Sequence, residues 1–150
     1  MKISTRGEYG VRAMFDLALH YGQGPIPLKM IAERQEISEP YLEQLMGALR
    51  KAGLVSSVRG AQGGYLLANP PHKTTIGDII RTLEGPIAPM ECVEPGEEST
   101  CNQYKLCATR VLWTKLRDSM EEVLDNTTLE MLCHEAMRLK AQDDSFMYHI

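Results

Sequence analysis

Three cysteines stand close together in the second half of the chain. Cys92, Cys101 and Cys107 fall within 16 residues, with eight residues between the first two and five between the last two. Thiolates are soft ligands that suit iron–sulfur clusters and zinc, and the start of a helix favours a thiolate anion. Three thiols leave either centre one ligand short. The spacing therefore predicts a metal centre that needs a fourth ligand, or a disulfide switch among the thiols.

Cys133 and His134 lie farther along the chain, on a predicted final helix. They offer a further ligand, but a single cysteine on an apolar helical face usually packs in the core. We therefore interpret Cys133 as a structural residue. The metal-centre hypothesis then depends on the three earlier cysteines, with zinc as the alternative to an iron–sulfur cluster.

A second chemical pattern surrounds the predicted helix that follows Ser38. Ser38 is a good N-cap, and leucines recur with helical spacing on one face, so polar side chains occupy the opposite face. Gln44 can pair with adenine and Glu43 can accept from cytosine N4, as on a recognition helix. Glu43 also repels phosphate, so it would discriminate against sites without a suitable cytosine. A solvated helix face is the simpler alternative.

The segment after this helix has the composition of a β-hairpin. Two β-prone runs within residues 54–68 flank the sequence RGAQGG, which predicts a wing whose Arg59 enters a minor groove. Arg34, Arg50 and Lys51 are predicted phosphate contacts. The full set of predicted DNA-binding residues is Ser38, Glu39, Pro40, Tyr41, Glu43, Gln44, Arg50, Lys51, Arg59, Gly60, Gln62 and Gly63.

Helical periodicity supplies the elements that position these residues. Helices are predicted over residues 4–21, 28–35, 38–53, 75–83, 106–124 and 127–140. Three helices followed by a hairpin is the order of a winged helix-turn-helix domain. The predicted fold is mainly α with a small β-hairpin. Its parts are a winged helix-turn-helix domain (1–84, wing 54–68), a cysteine-bearing loop (85–107), a dimerisation helix with a terminal helix (108–140) and a tail (141–150).

The helix predicted over residues 106–124 carries an apolar stripe, and little chain follows that could cover it. The stripe consists of Leu112, Leu116, Met120 and Val123. Such a stripe predicts a partner subunit and hence a two-fold homodimer. Two recognition helices would then read a pseudo-palindromic site on double-stranded DNA.

The charge distribution agrees with a DNA-binding half joined to an acidic half. Residues 1–75 hold nine Lys and Arg against six Asp and Glu, whereas residues 76–150 hold seven against 14. A mildly basic half suits a polyanion. No apolar run approaches the roughly 20 residues of a membrane helix, which predicts a cytoplasmic protein. The chain has no P-loop and no GxGxxG motif, so we predict that it is not an enzyme.

Three stretches of the sequence match one known family. They are MKISTRGEYGVRAMFDLALHYG from Met1, YLEQLMGALRKAGLVSSVRGAQGGYLLA from Tyr41, and the three cysteines ahead of a Leu-Trp helix. The chain thereby resembles the IscR family of bacterial winged-helix regulators, to which NsrR, RirA and CymR are related. The SxxYLEQL pattern from Ser38 indicates a nearest likeness to IscR. The resemblance implies a dimeric transcription regulator that binds a [2Fe-2S] cluster through the three cysteines and controls iron–sulfur biogenesis genes.

The chain departs from this family in the cysteine region. The gap between its first two cysteines is longer than in IscR, and Arg110 replaces the family's histidine three places after the third cysteine. Arginine is not an ordinary ligand at neutral pH. Some relatives use a carboxylate on the first helix, so the resemblance implies Glu8, reaching across the dimer, as the fourth ligand. The alternative role of Glu8 is a capping box with Thr5.

The sequence leaves several other functions open. A regulator of the same family that senses nitric oxide, iron or redox state would carry the same motifs. A DNA-binding protein with a zinc or thiol switch would also fit, as would a cluster-free regulator that acts with a protein partner. The visible absorbance of anaerobically purified protein separates an iron–sulfur regulator from these last two classes.

Overall fold

The computed structural model describes residues 2–96 and 101–148. These residues form six α-helices and one antiparallel hairpin, so the predicted mainly helical fold with a small hairpin is confirmed. The helices are α1 (Thr5–Leu19), α2 (Leu28–Gln35), α3 (Glu39–Lys51), α4 (Ile76–Glu84), α5 (Ala108–Asp125) and α6 (Leu129–Tyr148). The strands are β1 (Val55–Val58) and β2 (Gly64–Leu67), and short 3-10 turns cover Pro71–Lys73, Glu91–Val93 and Tyr104–Leu106. Among the described residues, no helix is both long and apolar enough to cross a bilayer.

The orientation of α3 is set by its apolar face. Apolar side chains three and four positions apart fall on one side of a helix, so the other side is left to solvent. The fully buried residues of this helix are Leu42, Leu45, Met46 and Leu49. Burial of each such side chain stabilises the fold by about 1.5–3 kcal/mol. Rotation of α3 about its axis would therefore be costly, and its polar face stays outward.

Helices α1 and α4 cross closely at a glycine. A Cβ atom placed on Gly10 of α1 would overlap Cδ1 of Leu83 on α4, so a larger residue would force the Leu83 side chain to move. The start of α4 is fixed by a capping box. Oγ1 of Thr75 accepts from the N–H of Asp78, and Oδ2 of Asp78 accepts from the N–H of Thr75, each at 3.1 Å.

The N-cap of α1 is Ser4 rather than Thr5. Oγ of Ser4 accepts from the N–H of Gly7 at 3.4 Å, and the N–H of Ser4 donates to Oε1 of Glu84 at 2.6 Å. Thr5 is already the first helical residue, and the side chain of Glu8 is exposed. The capping box considered for Thr5 and Glu8 is therefore wrong, because the anchoring of Ser4 to α4 moves the cap by one residue.

An ion pair with a buried carboxylate joins α1 to α2. Asp16 is 1% exposed and accepts from Arg34 Nε at 2.9 Å, from Arg34 Nη2 at 2.7 Å and from Gln35 Nε2 at 3.1 Å. The two parallel hydrogen bonds raise the pKa of Arg34. Because Asp16 holds its guanidinium, Arg34 links α1 to α2, and its role as a phosphate contact stays a prediction.

The start of α6 is built into the core of the amino-terminal half. Leu129 is fully buried, and its N–H donates to the carbonyl of Thr74 at 3.0 Å. The N–H of Ile76 donates to the carbonyl of Thr127 at 2.9 Å. The loop between α5 and α6 is thus pinned to the start of α4, so the two carboxyl-terminal helices are not independent of the winged-helix part.

Helix α6 is longer than the sequence predicts. It reaches Tyr148, whereas the prediction ends the helix near residue 140 and leaves 141–150 as a tail. The prediction placed the end too early because the extension lacks a clear apolar periodicity, yet it contains no glycine or proline to stop the helix. At the other end, Oγ1 of Thr128 accepts from the N–H of Met131 at 3.2 Å, so Thr128 caps the helix rather than Thr127.

Candidate nucleic-acid interface and cysteine segment

The amino-terminal turn of α3 presents an exposed polar surface. Ser38 holds the N-cap position with an extended backbone, and the buried leucines behind it fix which way the turn faces. The exposed residues are Ser38, Glu39, Pro40, Glu43 and Gln44, all of them predicted DNA contacts. A helix start of this kind offers backbone N–H groups to phosphate and side chains to base edges.

Tyr41 differs from its predicted neighbours because it is half-buried. Its ring meets the ring of Tyr9 on α1 edge to face, with centroids 5.9 Å apart. The guanidinium of Arg12 lies 5.3 Å from the centroid of the Tyr9 ring. Tyr41 therefore packs against α1, which sets the position of the first turn of α3.

The hairpin between β1 and β2 forms the predicted wing. Arg59, Gly60 and Gln62 are exposed at its turn, whereas Gly63 is buried. A Cβ atom on Gly63 would lie 2.0 Å from the carbonyl oxygen of Val58, so only glycine fits there. The turn is thus kept tight, with Arg59 at its exposed end.

Two further basic residues lie where α3 meets the hairpin. Arg50 and Lys51 are both exposed, and Arg50 Nη1 donates to Oγ of Ser57 on β1 at 3.3 Å. This bond ties the end of the candidate recognition helix to the first strand. Arg50 and Lys51 at the end of α3 and Arg59 on the wing are thus exposed cations that suit contacts to phosphates.

The three clustered cysteines occupy different local structures. Cys92 lies half-buried in the 3-10 turn Glu91–Val93, Cys101 is exposed, and Cys107 is the N-cap of α5. Residues 97–100 of the predicted cysteine loop lie outside the described part of the chain. Within that part, three or more Cys, His, Asp or Glu side chains nowhere gather as a metal site. The described residues therefore do not show the predicted three-thiol centre in assembled form.

Cys107 and Cys133 differ in acidity. A hydrogen bond with Thr109 Oγ1, 3.1 Å from Sγ, lowers the pKa of the Cys107 thiol, with help from the N–H of Arg110. Burial raises the pKa of the Cys133 thiol, with a smaller contribution from Glu130. Cys107 is thus the better thiolate and the better soft ligand. Cys133 is half-buried and packs against the core.

The donor set of the cysteine segment fits a [2Fe-2S] cluster in its chemistry. Soft thiols are the ligands that such a cluster prefers, and Cys107 has a depressed pKa. Glu8 projects from the first turn of α1 with an exposed side chain, so its carboxylate is accessible from outside the chain.

Arg110 makes contacts that the sequence does not reveal. Its guanidinium lies 3.9 Å from the centroid of the Tyr104 ring, and Nη2 donates to the Tyr104 hydroxyl at 2.7 Å. Nε donates to the carbonyl of Cys92 at 3.4 Å. The sequence indicates only that Arg110 is not a ligand. Arg110 lies one helical turn after Cys107, and this spacing could have predicted that its side chain contacts the cysteine segment.

The residues of the predicted dimer stripe on α5 differ in their exposure to solvent. Leu112 and Val123 are 55% and 65% exposed, whereas Leu116 and Met120 are half-buried. Met120 packs against the core and borders an apolar groove of about 350 Å³ that Ile3 also lines. Met120 thus contributes to the fold of its own subunit, while Leu112 and Val123 lie open to solvent.

Comparisons with known proteins agree with this architecture. Residues 3–135 match the Rrf2 family model, described as an iron-dependent transcriptional regulator. The transcriptional regulator CymR of Bacillus subtilis is 49% identical over 150 residues, which is all of both chains. The structure of CymR, described as the global cysteine regulator of B. subtilis, matches with a TM-score of 0.76 and 52% identity, over 90% of this chain and 98% of that chain. The structure of T. potens IscR matches with a TM-score of 0.74 and 52% identity, over 91% of this chain and 88% of that chain.

These similarities bear on the sequence-based expectations. The expected nearest likeness to IscR is not supported, because CymR matches over the full length and the two structures are equally identical to this chain. The winged-helix fold is confirmed, and the relatives are transcription regulators rather than enzymes, as predicted. The match covers the candidate recognition helix, the wing and all four cysteines, and it shows that the chain belongs to the Rrf2 family of DNA-binding transcription regulators.

Proposed function

We propose that this chain is a homodimeric cytoplasmic regulator that senses iron–sulfur cluster status through a [2Fe-2S] cluster and controls the genes of cluster biogenesis. The observation that carries the proposal is the position of Cys107 at the N-cap of α5. Cys107, the last proposed ligand, thus directly precedes α5, on which the side chains of Leu112 and Val123 are exposed. A change at the thiols can then act directly on a surface suited to a partner subunit.

The proposed ligands are Cys92, Cys101 and Cys107, with Glu8 of the partner subunit as the fourth. When bound, the cluster would supply a redox-labile cross-link between these side chains. The hydrogen bond from Thr109 favours the thiolate of Cys107, which prepares it as a ligand. Cys133 stays outside the ligand set because it packs against the core and burial raises the pKa of its thiol.

The proposed DNA-binding unit is the winged helix-turn-helix of residues 1–84. The exposed first turn of α3 would enter a major groove, where Gln44 and Glu43 read base edges. Arg59 on the wing would reach a neighbouring minor groove, while Arg50 and Lys51 contact phosphates. In a two-fold dimer, two such units would read a pseudo-palindromic operator.

Two contacts offer routes from the cysteine segment to the recognition helix. The start of α6 is pinned to α4, so movement of α5 reaches the winged-helix part through the α5–α6 loop. Glu8 precedes Tyr9, whose ring packs on Tyr41 of α3. Binding of a cluster at the thiols and at Glu8 would therefore shift the position of α3. The shift would pass through the α5–α6 loop, which is bonded to α4, and through the Tyr9–Tyr41 contact.

A cysteine-responsive regulator is the second candidate function. The 49% identity to CymR over the whole chain favours it, because the CymR structure is described as that of a global cysteine regulator. In that case the DNA-binding surface keeps its role and the three thiols hold no cluster. Regulators that respond to nitric oxide, iron, redox state or zinc would use the same cysteine segment.

Anaerobic reconstitution with iron and sulfide tests the proposal. We expect visible charge-transfer absorbance and about two irons and two sulfides per protomer. Alanine at Cys92, Cys101 or Cys107 should abolish the cluster or make it unstable, whereas the matched control Cys133→Ala should retain it. Glu8→Ala should shorten the lifetime of the cluster. A colourless protein with stoichiometric zinc would contradict the cluster.

A further inference from the structure

Two arginines on α5 hold the turn that contains Cys92. Arg110 and Arg117 are seven residues apart, so they lie two turns apart on one face of the helix. Arg110 Nε donates to the carbonyl of Cys92 at 3.4 Å, and Arg117 Nη1 donates to the carbonyl of Val93 at 2.9 Å. Two successive carbonyls of one 3-10 turn are thus bound by one helix.

Arg110 also contacts the end of the cysteine segment, just before Cys107. Its guanidinium stacks on the ring of Tyr104 and donates to the hydroxyl of the same residue. Tyr104 begins the 3-10 turn that ends immediately before Cys107. Arg110 therefore links the backbone at Cys92 to the turn that leads into Cys107.

The turn at Cys92 has its own anchor in the protein. Val93 is only 2% exposed, and the N–H groups of Val93 and Glu94 donate to the carbonyls of Met90 and Glu91 at 3.2 and 3.1 Å. Loss of one arginine should therefore loosen the turn without unfolding the domain. The guanidinium of Arg110 is also planar and can stack and donate at once, which an ammonium group does less well.

We propose that Arg110 is a positioning residue that holds the Cys92 turn against α5 and thereby fixes the placement of Cys92 relative to Cys107, with Arg117 as a second anchor. The role of this arginine in cluster retention rests on the proposed function, whereas its hold on the turn does not. The guanidinium acts on the backbone around the proposed ligands and is not itself a ligand.

Hydrogen exchange of the apo protein tests the structural part of this proposal. In Arg110→Ala, the amides of Val93 and Glu94 should exchange about 5-fold faster, as expected for the loss of one net hydrogen bond. Arg110→Lys should fall between Arg110→Ala and the wild type. The control Arg138→Ala removes an exposed arginine that pairs with Glu135 within α6, and it should leave both amides unchanged. Unchanged exchange in Arg110→Ala would overturn the proposal.

The rate of cluster loss tests the functional part. After reconstitution, visible absorbance should decay about 5-fold faster in Arg110→Ala than in the wild type or in Arg138→Ala. Faster amide exchange with an unchanged rate of cluster loss would overturn the positioning role. If the wild type binds no cluster while Arg110→Ala still speeds exchange, the proposed function fails and the hold on the turn stands.

Discussion

The ring of Tyr9 on α1 meets the ring of Tyr41 on α3 at an interplanar angle of 81°, with centroids 5.9 Å apart. Tyr9 directly follows Glu8, the proposed fourth ligand, and Tyr41 lies in the first turn of the candidate recognition helix. Arg12, which lies over the Tyr9 ring, also donates to the backbone carbonyl of Gln35 at the end of α2. Helices α1, α2 and α3 are therefore joined through Tyr9 and Arg12.

Removing the Tyr9 ring should disturb both stability and DNA binding. We expect Tyr9→Ala to lower the free energy of unfolding by about 1–3 kcal/mol, through the lost aromatic pair and the lost buried surface. Operator affinity should fall as well, because the first turn of α3 loses its support. Tyr9→Phe keeps the ring and should resemble the wild type. Urea titrations and binding titrations measure the two effects, and unchanged affinity in Tyr9→Ala would argue against this support.

Removing Arg34 should lower the free energy of unfolding more than removing the charge of its partner, Asp16. Arg34→Met leaves the buried Asp16 carboxylate without its main partner, so we expect a loss of about 3 kcal/mol in the free energy of unfolding. Asp16→Asn should cost less, about 1–2 kcal/mol, since the partly exposed Arg34 can turn towards water. Urea unfolding at neutral pH measures both, and a larger cost for Asp16→Asn would contradict the assigned burial.

Acid should weaken the link between α4 and the end of α5. The hydrogen bonds from Arg81, at 2.6 and 2.8 Å, lower the pKa of Asp125. A carboxyl group with a depressed folded-state pKa stabilises the fold above its unfolded pKa, and this contribution is lost as the pH falls through the folded pKa. Both side chains are partly exposed, so the effect should stay below about 1 kcal/mol.

The variant Asp125→Asn isolates that effect. Unfolding free energies of the wild type and of Asp125→Asn should differ at pH 6 and converge as the pH falls below the ordinary range for an aspartate, near 4. A difference that stays constant between pH 6 and pH 3 would show that the carboxylate charge of Asp125 does not stabilise the fold.

Local sequence signals account well for the elements that carry the candidate DNA interface. Ser38 followed by leucines at helical spacing predicts the start and the buried face of α3, and RGAQGG predicts the wing. These signals succeed because caps, apolar periodicity and glycine turns act over a few residues. The start of α1 shows their limit: Ser4 and Thr5 are both good caps, and the choice between them is made by Glu84, 80 residues away from Ser4.

The partners of charged side chains could not be predicted from the sequence. Arg34 and Arg110 are both arginines on helices with exposed polar faces, yet Asp16 engages the first and Tyr104 the second. These pairings depend on how helices and turns pack, which periodicity does not encode. The sequence places three thiols in one segment, but the part of the chain that the structure describes does not gather them at one site.

Arg59 on the wing should report its contact with DNA through salt dependence. We expect Arg59→Ala to weaken operator binding and to reduce the slope of log affinity against log salt by about one. Lys140→Ala, which removes an exposed cation from α6, serves as the control and should leave the slope unchanged. Fluorescence anisotropy at several salt concentrations measures both. Equal slopes for the wild type and Arg59→Ala would remove this residue from the interface.

We propose that cluster status sets which DNA the dimer binds. A binding titration of holo protein, apo protein and Cys101→Ala on two operator types, with Glu43→Ala in both states as a fourth arm, tests this proposal. We expect holo and apo protein to prefer different operators, Cys101→Ala to behave as apo protein, and apo Glu43→Ala to bind sites that the apo protein rejects. The same operator preference for holo, apo and Glu43→Ala protein would show that neither the cluster nor Glu43 sets specificity.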